Sequence, residues 1–261
     1  MRAFLFALCA WLLTAAPAAA DRFSLTYHGV GLGFVPLGGI SVDANVSDDD
    51  YQIRAHLQSR GLLNLFERTN LTAIASGDIV NGDVRWSSYD LDHRYSRKHR
   101  IIAMRVGADG TVSAEITPTY RLWGEPPTSD EQRRRSRDPL STMVAMSIDV
   151  GQTRRCSGSY PTFDGRFHYV MELSGGQIRD FDDAGYEGDV LRCRMAYIAV
   201  AGYEQRDAGR RRVPEGEVWF ALMPDANFAP VVRIATPMSA GGATIRLASY
   251  RRVRVVLEDM P

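Results

Sequence analysis

The chain has 261 residues with 31 basic and 31 acidic side chains, so it carries no formal net charge at neutral pH. That balance excludes a global electrostatic pull toward nucleic acid or an anionic surface, and the sole lysine, Lys98, leaves little scope for Schiff-base chemistry. The length suits one large β domain or two smaller ones and does not by itself set the domain count.

Residues 1–20 read as a secretory signal peptide. Arg2 is a short positive region, Ala3 to Thr14 an apolar run, and Ala18-Ala19-Ala20 supplies small residues before Asp21. The run is shorter than the roughly 20 residues needed to span a bilayer. No later window is comparably apolar, so the mature chain is expected to have no transmembrane segment and to reside in the periplasm. Cys9 lies inside the apolar run with Leu8 directly before it, unlike a lipidation site, and is expected to leave with the signal.

From Asp21 to Val46, Phe23, Leu25 and Tyr27 alternate, and Gly29, Gly31 and Gly33 then interrupt the strand pattern. No third glycine of the dinucleotide fingerprint and no amphipathic helix follow, so these glycines predict bends in a curved sheet. Asp48-Asp49-Asp50 predicts a turn; it lacks the alternate ligand spacing of a calcium loop. Tyr51, Ile53, Ala55 and Leu57 alternate as in a half-buried strand. The apolar Gly61–Phe66 stretch is expected to tuck over the sheet as a single turn.

A meander follows, with strands at about Leu71–Ser76, Val84–Tyr95, Ile101–Val106 and Val112–Ile116. Asn81-Gly82 and Asp109-Gly110 predict the hairpins, because both tolerate positive φ. Arg121 to Arg137, with Pro126-Pro127 and Arg133-Arg134-Arg135, reads as an exposed loop or long crossover with a solvated arginine face. Asp138 then caps a helix with Pro139 in its first turn, an apolar stripe of Leu140, Met143, Val144, Ser147 and Ile148, and a stop at Gly151. Further strands are predicted at Phe167–Leu173, Ile178–Asp182, Val190–Val200, Val218–Leu222, Val231–Thr236 and Thr244–Leu257, with turns at Ser174-Gly-Gly176, Asp183-Ala-Gly185, Pro224-Asp225 and Gly241-Gly242.

Cys156 and Cys193 are the two cysteines of the mature chain. An oxidising destination predicts a disulfide between them, which would stabilise by on the order of 4 kcal/mol in the chain-entropy account.

Read in order, these residues resemble the bacterial envelope proteins of domain of unknown function 3108. The front is carried by Tyr27-His-Gly-Val-Gly31, Tyr51-Gln-Ile53 and Ser59-Arg-Gly-Leu-Leu-Asn-Leu-Phe66. Asp138-Pro-Leu-Ser141, Cys156-Ser-Gly158, Phe163-Asp-Gly-Arg166 and Tyr169 carry the middle. Cys193, Tyr197, Gly202-Tyr203 and Pro230-Val231 carry the end. The resemblance implies an exported, β-rich periplasmic protein without an established reaction, with an open barrel reminiscent of lipoprotein carriers. It also implies distant kinship with an envelope-integrity family that folds as a β-spiral with one disulfide. It supplies no catalytic residues.

Among the five histidines, His28, His56, His93, His99 and His168, no pair has the helical spacing of a zinc protease, and no Cys-x-x-Cys occurs. No metal or cofactor is therefore expected. Ser157-Gly158-Ser159 lacks the glycine-flanked elbow of a serine hydrolase. Phe163-Asp164-Gly165-Arg166 admits two readings: a structural Asp-Gly turn, or the polar rim of a ligand-binding concavity lined by Phe163, Tyr169 and Tyr197.

The expected fold is all-β and single-domain over residues 21–261: a curved antiparallel sheet forming an open barrel or half-barrel with one packed helix. The expected function is a non-enzymatic periplasmic factor supporting the envelope by binding a lipid, lipoprotein or peptidoglycan component, with no nucleic-acid partner. The alternatives are a scaffold acting through its surface and sheet edges, and an envelope hydrolase, which convergent carboxylates or a Ser–His contact would favour.

Overall fold

The computed structural model describes residues 19–60, 68–238 and 241–256. Most of the expected signal peptide, Cys9 and the Gly61–Phe66 turn lie outside the described residues.

Thirteen strands form a single sheet in the order β7-β6-β5-β4-β3-β2-β1-β13-β12-β11-β10-β9-β8. They are β1 (Ala19–Gly31), β2 (Val35–Val46), β3 (Asp50–Ser59), β4 (Thr69–Val80), β5 (Asp83–Tyr95), β6 (Lys98–Val106) and β7 (Val112–Thr117), then β8 (Gly158–Phe163), β9 (His168–Asp183), β10 (Tyr186–Ala201), β11 (Gly216–Ala221), β12 (Val231–Met238) and β13 (Gly241–Val256). Every neighbouring pair is antiparallel. Chain-adjacent strands are sheet-adjacent everywhere except at β7 and β8, which form the two edges, while the first and last strands pair along most of their length. The sheet is therefore barrel-like but not closed.

Of the glycines expected to bend the first strand, Gly29 stands at a register shift, whereas Gly33 lies at φ 81° in the β1–β2 turn, closed by Phe34 N donating to Gly31. The β1–β2 ladder shifts register at Gly29/Val30, and the β4–β5 ladder at Ser76/Gly77. Such bulges bend the sheet around its contents. Asn81 and Gly82 hold φ of 53° and 82°, the paired positive values of a tight hairpin turn. One expected turn is absent: Ser174-Gly-Gly176 lies inside β9, where Gly175 and Gly176 sit at the register shift opposite Arg192/Arg194. A glycine pair satisfies a bulge as well as a turn, and here the ladder to β10 continues past it.

Between β7 and β8 the chain crosses the open side. Ser129 starts a short helix, α1 (Asp130–Arg134), with a reciprocal cap from Gln132. The arginine run is thus partly helical: Arg135 pairs with Glu131 at 2.7 Å, and the Arg133 guanidinium lies over the Phe163 ring. Arg137 bridges to Thr162 as a short parallel pair, its N–H donating to Pro161 and its carbonyl accepting from Phe163. That contact covers part of the β8 edge, which would otherwise present unpaired backbone groups.

The long helix α2 (Pro139–Thr153) begins where the sequence predicts. Asp138 Oδ1 accepts from the N–H groups of Leu140 (2.9 Å) and Ser141 (3.0 Å). Its burial is not confined to the expected stripe: Val144, Met146, Ile148 and Val150 are all buried, so more than one face is covered. A helix apolar around most of its circumference belongs inside a core, and α2 runs through the concavity with β3, β4, β5 and β8 beside it. Its stop also differs from expectation. Gly151 lies within the helix, where a Cβ would stand 2.3 Å from the Asn227 carbonyl oxygen. That glycine admits the β11–β12 connection, and the helix ends at Arg154 in the left-handed region at φ 55°. A second short helix, α3 (Ala208–Arg211), follows a single turn at Gln205–Asp207.

Cys156, just after α2, is bonded to Cys193 on β10, with a Cα separation of 5.4 Å. The bridge ties the helix exit to the centre of the β9–β10–β11 part of the sheet.

Candidate functional site: an apolar cavity beside the central helix

The walls of the concavity follow from strand alternation. Leu25 and Tyr27 on β1, Ile40 and Val42 on β2, Ile53, Ala55 and Leu57 on β3, and Leu71 on β4 all point to the same face. Because α2 fills one side of that space, its Leu140, Met143 and Val144 form a wall facing these strands. Phe228, Val231, Ile234 and Ile245 close the far side. The space between is about 260 Å³. Its polar groups are few: the Tyr27 hydroxyl donates to the Val231 carbonyl at 2.7 Å, and burial holds that phenol far above its ordinary pKa.

Behind this wall a buried polar chain anchors the helix. The Tyr51 hydroxyl donates to Ser141 Oγ, and Ser141 Oγ donates to Asp138 Oδ2. Burial, only partly offset by the Ser141 and Leu140 donors, pushes the Asp138 carboxyl up to about 6. Its position at a helix N-terminus favours the charged form, yet desolvation wins because the side chain has no solvent exposure.

The five residues singled out in the sequence occupy a different place. Asp164 Oδ1 accepts the N–H groups of Arg166 (2.9 Å) and Phe167 (2.7 Å), forming the β8–β9 turn. Arg166 is buried, pairs with Asp207 at 3.1 Å, and lies over the rings of Phe167 and Tyr120. Tyr169 stacks on Tyr197 with centroids 4.6 Å apart, and the Tyr197 hydroxyl bonds that of Tyr203. Phe163 is fully buried beside this corner. The crossover is clamped onto it: Gly202 N donates to Pro126 and Glu125 N to Tyr203. A Cβ on Gly124 would overlap Gly202 at 2.0 Å, so the two backbones touch directly. The structure brings all five residues into one packed corner, and none of them borders the apolar cavity.

A Ser–His contact does exist. Ser136 Oγ lies 3.1 Å from His168 Nδ1, both buried. The Ser136 hydroxyl donates to the Gln132 carbonyl at 2.7 Å, and His168 Nδ1 also faces the Thr162 carbonyl at 3.2 Å. Nδ1 must therefore carry the proton and act as donor, the reverse of what a base activating a serine requires. Burial lowers the His168 pKa, keeping the ring neutral. This contact packs the crossover against β9.

Asp48–Asp50 forms a turn in which Ser47 Oγ accepts from Asp49 N (3.2 Å) and Asp50 N (2.9 Å). No helix among the described residues is long and apolar enough to cross a membrane.

No protein-family model matches the chain, and no curated protein does. Among solved structures, a crystal structure of a beta-barrel-like protein of domain of unknown function DUF1849 from Brucella abortus superposes with a TM-score of 0.54. The match covers 90% of this chain and 98% of that one, at 10% sequence identity. That likeness shows the fold alone. It agrees with the open, barrel-like antiparallel sheet described above.

The cavity-lining residues were not individually visible in the sequence. Leu25, Ile40, Val42 and Leu71 have the alternation of ordinary core positions, and only the placement of α2 separates those facing empty space from those facing neighbours.

Proposed function

We propose that this is a non-enzymatic exported protein of the periplasm that supports the cell envelope by holding an acyl chain of a lipid or lipoprotein. The observation that carries the reading is the cavity between α2 and the sheet, walled mostly by aliphatic side chains, with Ser147 and the tethered Tyr27 hydroxyl as its polar side chains. At about 260 Å³ it lies just below the roughly 300–1,000 Å³ of typical small-ligand sites. That size suits a single chain rather than a whole lipid, and apolar walls favour an acyl chain over a peptidoglycan fragment. The signal-like residues 1–20, a disulfide suited to an oxidising compartment, and the ordered motifs resembling the domain of unknown function 3108 family support the periplasmic placement.

Native mass spectrometry of protein purified from its own periplasm, followed by solvent extraction, tests the proposal. An acyl-bearing species released in stoichiometric amount is the expected result. Protein of bare chain mass with no extractable acyl group would overturn it.

A further inference from the structure

Chain direction sorts the connections between strands to two ends of the sheet. One end carries the β2–β3, β4–β5, β6–β7, β9–β10 and β11–β12 connections. The other carries the β1–β2 tip, the β5–β6 turn, the start of the crossover after β7, and the β10–β11 segment over residues 202–215. These two ends differ in chemistry although the chain as a whole is neutral.

At the tip end, Phe34 is 79% and Leu32 52% exposed. They sit on a hairpin tip with no charged residue between His28 and Asp43. Leu122 and Trp123 of the crossover and Val213 of the β10–β11 segment are exposed at the same end. The crossover is held there by the bonds from Glu125 to Tyr203 and from Gly202 to Pro126. The same end carries exposed Arg60, Arg68, Arg97, Arg121, Arg211 and Arg212, against exposed Glu125 and Glu215. At the opposite end the exposed residues in or beside the turns include Asp48, Asp49, Asp109 and Asp183, together with Asp83, which pairs with Arg137, and Asp225, which pairs with Arg252 and Arg254. A polar cavity of about 490 Å³ lies there, bordered by Asp21, Asp48, Asp49, Asp225 and Arg254. None of the large exposed hydrophobic residues falls in a connection at that end among the described residues.

The apolar cavity extends toward the tip end. Its strand residues Ile40, Leu57, Leu71 and Ile245 stand in the halves of β2, β3, β4 and β13 nearest the tip, Ala44 and Ile53 carry the lining past the middle of β2 and β3, and Ile148 and Gln152 of α2 border the polar cavity at the far end. An apolar tip and an excess of arginines thus share the end toward which the cavity extends.

We infer that this rim docks on the surface of an anionic phospholipid bilayer, with Leu32 and Phe34 entering the headgroup region and the arginines facing lipid phosphates. The inference rests on the acyl-binding reading, because docking would bring the cavity to the source or destination of its chain. Scattered exposed hydrophobic residues need no explanation, but a group of them at one end together with an excess of arginines does. Amphipathic surfaces of that composition bind interfaces through buried apolar area plus attraction to anionic lipid. At the opposite end the carboxylates of Asp48, Asp49, Asp109 and Asp183 would favour the same orientation by repulsion from that surface.

The test is co-sedimentation of protein purified from the periplasm with vesicles of phosphatidylglycerol or of phosphatidylcholine. Binding to phosphatidylglycerol alone is expected, weakened about tenfold when salt rises to about 0.5 M, because exposed charges are then screened. The pair Leu32→Ser and Phe34→Ser should lower binding about tenfold or more with the melting temperature unchanged, since both side chains are exposed. Arg211→Glu with Arg212→Glu should do the same without touching the tip. Equal binding of phosphatidylcholine, or of the Leu32/Phe34 variant, would overturn the inference. So would a dimer by light scattering that the same variant abolishes, which would assign the tip to self-association. Extraction of the same preparations separates the two proposals. Acyl chain without vesicle binding removes the rim and keeps the cavity reading; vesicle binding without acyl chain does the converse.

Discussion

The Tyr51 hydroxyl donates to Ser141 Oγ across 2.6 Å, joining β3 to the first turn of α2 inside the sheet. Ser141 passes its own proton toward Asp138, so one carboxylate both caps the helix and terminates a buried chain. Tyr51→Phe leaves Ser141 without its donor while keeping the ring packed. We expect a loss of about 1–2 kcal/mol, the usual consequence of removing one partner from a buried bond, read as a lower urea midpoint with unchanged slope.

The same carboxylate makes stability depend on pH. Burial raises Asp138 from an ordinary 3.8 to about 6 in the folded protein. A raised carboxyl pKa means that the folded state holds its proton more tightly than the unfolded chain does. The contribution of Asp138 is therefore most favourable below about pH 4, declines as pH rises toward 6, and is constant above. The full difference is of order 3 kcal/mol, from about 1.4 kcal/mol per unit. Asp149 and Asp164 are raised by burial too and move stability in the same direction. Asp138→Asn keeps an oxygen for the Leu140 and Ser141 N–H groups. Unfolding at about pH 4.5 and 7.5 should show a smaller drop for this variant than for the native chain; an identical drop would remove Asp138 as a source.

Gly151→Ala should destabilise, against the general rule that alanine improves a helix interior by roughly 1 kcal/mol. The added methyl would stand 2.3 Å from the Asn227 carbonyl oxygen, and Ala229 N donates to Ser147 one turn earlier, so that connection cannot move away freely. A cost of about 2 kcal/mol or more is expected from such overpacking, visible in the melting temperature. A gain in stability would show that the contact is loose.

Gly151 also shows where sequence reasoning reached its limit. The start of α2 was legible because its signals are local: Asp138 and Pro139 adjoin, and the apolar spacing follows within the next few turns. Its end was not, because Gly151 answers to Asn227, distant in the chain. Ser174-Gly-Gly176 misled for the same reason, since only the β9–β10 ladder decides between a turn and a bulge. The hairpins at Asn81-Gly82 and Asp109-Gly110 needed nothing from elsewhere and were legible. Phe163-Asp-Gly-Arg166 stood out for its polarity, and that polarity is spent inside the fold: Asp164 on backbone N–H groups, Arg166 on Asp207. The aliphatic residues around the cavity carried no such mark.

The Cys156–Cys193 bridge should matter in a condition-dependent way. Cys156→Ser is expected to lower stability by about 2–4 kcal/mol under oxidising conditions, and the native and variant chains should melt together once reductant is added. Both sulfurs are buried, so reduction must be carried out in denaturant before refolding. Equal loss with and without reductant would assign the effect to packing of the Cys156 side chain instead.

Filling the cavity separates binding from stability. Ala55 lines it from the centre of β3, pairing with Val42 and Ala73 in the ladder, and shares the cavity with Met143 and Val144 of α2. Ala55→Leu adds apolar volume to empty space rather than to a packed contact, so it should leave the melting temperature unchanged or raise it, unlike the overpacking at Gly151. The occupant would lose room equivalent to about three methylene groups, each worth roughly 0.8 kcal/mol when buried, and acyl binding should fall by tenfold or more. Titration with a fluorescent fatty-acid analogue measures this directly. Unchanged affinity in a stably folded Ala55→Leu variant would place the binding of any apolar ligand outside this cavity, while lost affinity with an unchanged melting curve would assign it to the space between β3 and α2.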